Sequence, residues 1–190
     1  TLFRSYHGNL FKLLNLYGLL GGVFFVLMFA LHGALWMGIK STGELHDRAV
    51  ALARGIWPLL LCAALAFLAA TAVYTNLYVN YLKLPPLLVF PILAVASLLT
   101  TRFFIASNSV GMAWVCNAVF IVCVTFFGVF GMYPALLPSS MDPAFSVTIA
   151  NGASSPLTLK IMLTVVVIFV PIVLAYQAWV YSVFTHKITD

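Results

Sequence analysis

Redox or transport chemistry inside a bilayer needs an ionisable or ligating side chain set among apolar ones, and such groups are costly enough to be informative. In this chain every Asp, Glu, Lys and Arg falls at or beyond the end of an apolar run, and one imidazole, His32, lies well inside one. An imidazole at that depth can relay protons or ligate a haem iron. It can equally stay neutral and bond a backbone carbonyl or a neighbouring helix, which is the role expected here. Bis-histidine haem ligation needs two opposed imidazoles at matching depth. His7, His46 and His186 lie in loops or tails, so none can oppose His32. Met28 and Met162 sit within apolar runs, where methionine commonly serves packing. The chain is therefore expected to bind no haem or other cofactor, to hold no metal and to carry no catalytic residue. His32 alone remains a candidate for an intramembrane polar role.

A second group combines Glu44, His46 and Asp47 in the stretch GELHDR. Two carboxylates beside an imidazole have the composition of a metal or acid–base site. Lys40 and Arg48 bracket them in what reads as a short turn between two helices, so a charge-satisfied connection is expected. Cys62, Cys116 and Cys123 are odd in number, lie in apolar runs and form no C-x-x-C pair, which favours buried apolar thiols over disulfides or zinc ligands. Asn117, Thr125 and Gln177 suit interhelical hydrogen bonds.

The elements that must position these groups follow from composition. With 64% hydrophobic and 7% charged residues, the 190-residue chain has too few polar side chains to cover a water-facing surface. Its mean hydropathy is +1.11. The net charge of +5 comes from scattered Lys and Arg with no basic run, which excludes a nucleic-acid interface and fits lipid headgroups. Apolar runs of membrane length predict five transmembrane helices, at about 16–37, 55–78, 86–104, 110–132 and 158–184. None alternates in polarity as a barrel strand would. The fold class is all-α, a polytopic integral membrane protein, read as one transmembrane helical domain over 1–190.

Punctuation agrees with these spans. Pro58 is expected near the start of the second run, Pro85 and Pro86 open the third, and Ser107, Asn108 and Ser109 supply turn and N-cap chemistry before the fourth. Pro171 falls within the fifth and should kink it. Tyr74, Tyr78, Tyr81, Trp57, Tyr176, Trp179 and Tyr181 read as interface anchors. Gly18 with Gly22, Ala66 with Ala70, and Gly128 with Gly131 read as small-residue faces for close helix contact. Lys40, Arg48, Arg54, Arg102 and Lys187 fall on one side of five spans, against Arg4, Lys12, Lys83 and Lys160 on the other. Five against four puts the first group and the C-terminus in the cytoplasm.

Two separated regions carry a family resemblance. GELHDR, within residues 8–48, and the later PSSMDP, ASSPLTLKIML and YQAWVY occur in the order found in subunit II of the cytochrome bd-type quinol oxidases, which the chain resembles. The match implies the second half of such a subunit, a four-helix bundle plus one peripheral helix. A start at Thr1 without a signal sequence is read the same way. The resemblance further implies a non-haem structural role in a quinol:oxygen oxidoreductase of the bacterial cytoplasmic (inner) membrane. Haem b and haem d are then expected in the partner, subunit I, which this chain would stabilise. Further implied partners are the missing N-terminal half, quinol at the level of the complex, and the lipid bilayer. The family's acidic proton-path residues match no position here. The alternative is a small polytopic transporter or scaffold with no redox role. A transporter commonly places polar groups on broken helices at mid-membrane, and here only Pro91 and Pro171 break the runs, with no carboxylate beside them.

Overall fold

The computed structural model describes residues 15–139, 143–184 and 187. Arg4, His7, Lys12 and His186, and the 140–142 part of PSSMDP, lie outside the described residues. The chain divides into two units, one ending at Gly131 and one spanning Met132–Ile188.

The first unit is helical throughout. Helix α1 (Leu16–Lys40) starts where the Asn15 side chain accepts from the Gly18 amide at 2.5 Å. It ends where the Ser41 amide and hydroxyl both donate to the Met37 carbonyl, at 3.0 and 2.6 Å. Helix α2 (Gly43–Tyr74) begins two residues later. Gly43 sits at φ 63°, a left-handed conformation that lets so short a connection reverse the chain. The GELHDR stretch is therefore the opening of a 32-residue helix, not a loop, and the second span begins well before residue 55. Its polar residues support a helix start: Glu44 lies in the first turn, favoured by the helix dipole, and Arg48 pairs with it at 2.5 Å. Pro58 consequently sits inside α2, where its missing N–H leaves the carbonyl four residues back without its helical partner.

Beyond Tyr74 the chain forms the short helix α3 (Tyr78–Lys83), a 3₁₀ turn over Pro85–Leu88, and α4 (Val89–Ala106). The predicted end of the second span at 78 thus falls on a separate helix. Tyr81 is no interface anchor: it is 2% exposed and its hydroxyl donates to the Phe127 carbonyl at 2.6 Å. The Ser107–Ser109 stretch caps the end of α4. The Ser109 amide bonds the Phe104 carbonyl and the Asn108 amide bonds that of Ile105, with Asn108 at φ 57°. These two bonds make a Schellman closure with asparagine in the left-handed position. Helix α5 (Val110–Met132) follows with the predicted bounds.

The helices are apolar on every side, so what separates core from lipid face is fit between neighbours. Phe24, Met28, Leu31 and Leu35 line one stripe of α1, and Ala53, Ile56, Leu60 and Ala63 face it from α2. Ala94, Leu98 and Ile105 of α4 and Ala113, Phe120 and Cys123 of α5 complete the core. Of the glycines picked out by spacing, Gly131 is closely approached while Gly22 and Gly128 are not, and Gly38, which spacing did not pick out, is. A Cβ at Gly22 or Gly128 would meet nothing within 4 Å, whereas one at Gly131 would fall 2.2 Å from Leu77 and one at Gly38 would lie 3.2 Å from Val110. The antiparallel order brings Lys40, Arg48, Arg54 and Arg102 to one end of this unit. There the Arg54 guanidinium donates to Asn108 Oδ1 at 2.8 Å, and Arg102 stacks 5.7 Å from the Trp57 ring.

The second unit holds a feature the sequence did not announce. Strands β1 (Ala135–Leu137) and β2 (Val147–Thr148) pair antiparallel with an irregular register. Thr148 and Asn151 then form a reciprocal capping box on the short helix α6 (Ile149–Gly152). Helix α7 (Pro156–Val183) opens with Ser155 as N-cap and Pro156 in its first turn, and it continues through Pro171 as one helix. None of its residues is buried. Among the described residues, five helical segments are long and apolar enough to cross a membrane: α1, α2, Pro85–Ala106, α5 and α7. The fold is that of an all-α polytopic membrane protein.

Candidate functional site: an intramembrane histidine–asparagine contact

His32 lies two turns before the end of α1, on the flank facing α5. There the Asn117 Nδ2 amide donates to His32 Nδ1 at 3.2 Å. An imidazole accepting at Nδ1 is neutral, with its proton on Nε2. The ring is also covered on one face: it stacks on Trp114, centroids 5.0 Å apart at 28°. Trp114 and Asn117 are one turn apart on α5, so a single helix face supplies both contacts. Trp36, one turn beyond His32, packs on the same indole at 5.3 Å, and the Lys40 ammonium lies 5.3 Å from the Trp36 ring. A column of His32, Trp36 and Lys40 thus runs along α1 from the apolar interior to the charged end of the helix.

Two polar atoms in this cluster have no partner among the described residues. The Trp114 indole N–H and the Asn117 Oδ1 are both buried and both unbonded. Turning the Asn117 amide end for end exchanges its roles without curing the defect: one amide end meets His32 and the other meets nothing. The contact is therefore a weak tie between α1 and α5 that leaves a donor and an acceptor unmet in low dielectric.

One nitrogen of His32 is engaged and one ring face is covered. The other imidazole among the described residues, His46, donates from Nδ1 to the Gly38 carbonyl at 2.6 Å, where it satisfies one of the last carbonyls of α1. His46, Glu44 and Asp47 are not assembled into a site either: Glu44 pairs with Arg48, and the described residues contain no group of three or more His, Cys, Asp or Glu placed to hold a metal ion. Of the other polar candidates, Thr125 donates back to Ile121 of its own helix at 2.8 Å, and Gln177 lies exposed on α7. The polar ties that sequence reasoning missed involve Trp57, read there as an interface anchor, and residues it did not single out. The Trp57 indole donates to the Leu98 carbonyl at 2.8 Å, Tyr17 bonds Thr71 at 3.1 Å, and the Asn80 amide reaches the Phe130 and Gly131 carbonyls at 3.2 and 3.0 Å.

Comparison with known proteins assigns the chain. A family model described as cytochrome bd terminal oxidase subunit II matches residues 2–184. The chain is 32% identical to the probable cytochrome oxidase subunit 2 of Haemophilus influenzae, over 94% of this chain and 54% of that protein. It is 31% identical to the cytochrome bd-I ubiquinol oxidase subunit 2 of Escherichia coli K12, over 97% and 56%, and 27% identical to the cytochrome bd ubiquinol oxidase subunit 2 of Bacillus subtilis, over 100% and 58%. The chain spans about half the length of these curated relatives. With apolar helices of membrane length and a family match over nearly all its residues, this chain belongs to the cytochrome bd terminal oxidase subunit II family.

Proposed function

We propose that this chain is the non-haem, structural portion of subunit II of a cytochrome bd-type quinol oxidase, and that it stabilises the haem-bearing subunit I. On this reading its residues correspond to the second half of the subunit and act as one transmembrane helical domain. It sits in the bacterial cytoplasmic membrane, with the Lys40, Arg48, Arg54 and Arg102 end and the C-terminus toward the cytoplasm. Haem b and haem d reside in subunit I. Quinol is oxidised and oxygen reduced to water at the level of the complex, and the relatives named as ubiquinol oxidase subunits support that substrate class.

The observation that carries the structural reading is the use made of the one histidine deep in a span. His32 bonds Asn117 and stacks on Trp114, both on α5, and this pair of contacts between helices supports a packing role. The test is affinity purification of the tagged chain from its native membrane, with mass spectrometry and a reduced-minus-oxidised spectrum. A larger partner, b- and d-type haem bands and quinol oxidase activity are expected, with haem content unchanged in His32→Ala. Stoichiometric haem on this chain that is lost in His32→Ala, or a colourless chain with no partner, would overturn the proposal.

A further inference from the structure

Between α2 and α4 the first unit leaves a crevice of about 120 Å³. Leu61, Ala64 and Leu68 line it from one helix, Ala94, Leu98 and Leu99 from the other, and every lining side chain is apolar. Its floor is aromatic and fixed. Phe24 of α1 stacks on Phe67 with centroids 5.4 Å apart, and Phe120 of α5 meets Phe24 edge-on at 6.3 Å. The two walls are drawn together at one end by the bond from the Trp57 indole to the Leu98 carbonyl. At the height of the crevice the small side chains of Ala64 and Ala94 leave the space between the walls unfilled. On the open side the rim residues Leu65 and Leu99 are 60% and 52% exposed.

We propose that this crevice seats the end of a phospholipid acyl chain. Its walls belong to the middle turns of two helices long and apolar enough to cross a membrane, and the medium such helices meet at that depth is bilayer hydrocarbon. No polar atom offers water a partner, and an apolar cavity of about 150 Å³ in a soluble protein stays dry while taking up benzene. Left empty, the aromatic floor would forfeit dispersion contacts on one side. The volume is of the order that takes up benzene, which suits the last few carbons of a chain. The dimensions suit a chain end and exclude a headgroup, which the lining could not hydrogen-bond.

The test uses the intact oxidase complex in nanodiscs containing phosphatidylethanolamine with a diazirine near the end of one acyl chain. After photolysis, adducts are mapped by mass spectrometry. Adducts on the floor residues Phe120 and Val124, in addition to the rim residues Leu65 and Leu99, are expected. Ala64→Phe fills the space and should cut floor adducts at least tenfold while leaving those on Leu59, outside the crevice, unchanged. Adducts confined to the rim, or absent from rim and floor because another polypeptide covers the mouth, overturn the proposal. Floor adducts that persist in Ala64→Phe also overturn it. Should Ala64→Phe prevent assembly, the milder Ala94→Leu takes its place, and the map of the unaltered complex decides between floor and rim without any variant.

Discussion

The His32–Asn117 contact makes an unequal prediction for its two partners. Asn117 is fully buried, donates one bond at 3.2 Å and leaves its Oδ1 unmet. An interhelical side-chain bond in a membrane contributes about 0.6 kcal/mol on average and up to about 1.7. A buried polar group left without a partner costs about 1–3 kcal/mol. Asn117→Leu loses the bond and strands His32 Nδ1, but it also removes the unmet Oδ1. The last two effects offset, and stability should stay within about 1 kcal/mol of the unaltered protein. His32→Leu loses the same bond and leaves both ends of the Asn117 amide unmet, a cost of about 2–4 kcal/mol. Changing both residues to leucine removes every unmet group of the pair and should recover most of that loss. The assay is a double-mutant cycle on the assembled complex, by reversible unfolding in mixed micelles as denaturing detergent is raised. The expected order is the double variant at least equal to Asn117→Leu, with His32→Leu lowest. If Asn117→Leu were the most damaging, by about 3 kcal/mol or more, Oδ1 would have a partner in the assembled protein and the reasoning would fail.

Three further outcomes follow from named contacts. Gly131→Ala would place a Cβ 2.2 Å from Leu77 and should destabilise by about 1–3 kcal/mol, while Gly128→Ala, with nothing within 4 Å, should be neutral or stabilising by up to about 1 kcal/mol; paired thermal melts compare them. At Asn108, alanine incurs the left-handed backbone penalty of about 1–2 kcal/mol and loses the Arg54 bond, whereas glycine loses only the bond. Asn108→Gly should therefore melt above Asn108→Ala, and the opposite order would refute the cap. Burial pushes the Tyr81 phenol, between the spans, up to about 12 from its ordinary 10. A raised folded-state value means that its contribution is intact below pH 10 and is lost as pH rises from 10 through about 12. Tyr81→Phe should flatten stability over that window, and the difference in ultraviolet titration between the two proteins should show no phenolate from Tyr81 at pH 10.5.

Much of the architecture was legible because a bilayer imposes a simple demand: helices of about 20 apolar residues and polar groups pushed to their ends. The helix over 110–132 has the expected bounds, the first, third and fifth differ by a few residues at their ends, and the second starts at Gly43 rather than about 55. The larger error lay in GELHDR. Charge suggested a loop, yet acidic residues also suit a helix start, and the reversal needs only Ser41, Thr42 and a left-handed Gly43. Likewise Asn108 has the chemistry of an N-cap and of a left-handed C-terminal closure. Which one it makes depends on backbone angles that composition does not encode.

The sequence by itself determined the solvent, the number of crossings among the described residues, the family and the single deep imidazole, since each rests on composition or local pattern. It also made Asn117 a candidate for interhelical bonding without naming its partner. Tertiary structure alone decided that Asn117 meets His32, that Gly131 carries the close helix approach while Gly128 does not, and that Tyr81 is buried. It also decided that α2 and α4 part around an apolar crevice. The physical reason is common to all four. In a helix apolar on every side, periodicity carries no signal for which face meets protein and which meets lipid, so the choice falls to shape complementarity between residues distant in sequence, 46 apart for Tyr81 and Phe127 and 85 apart for His32 and Asn117.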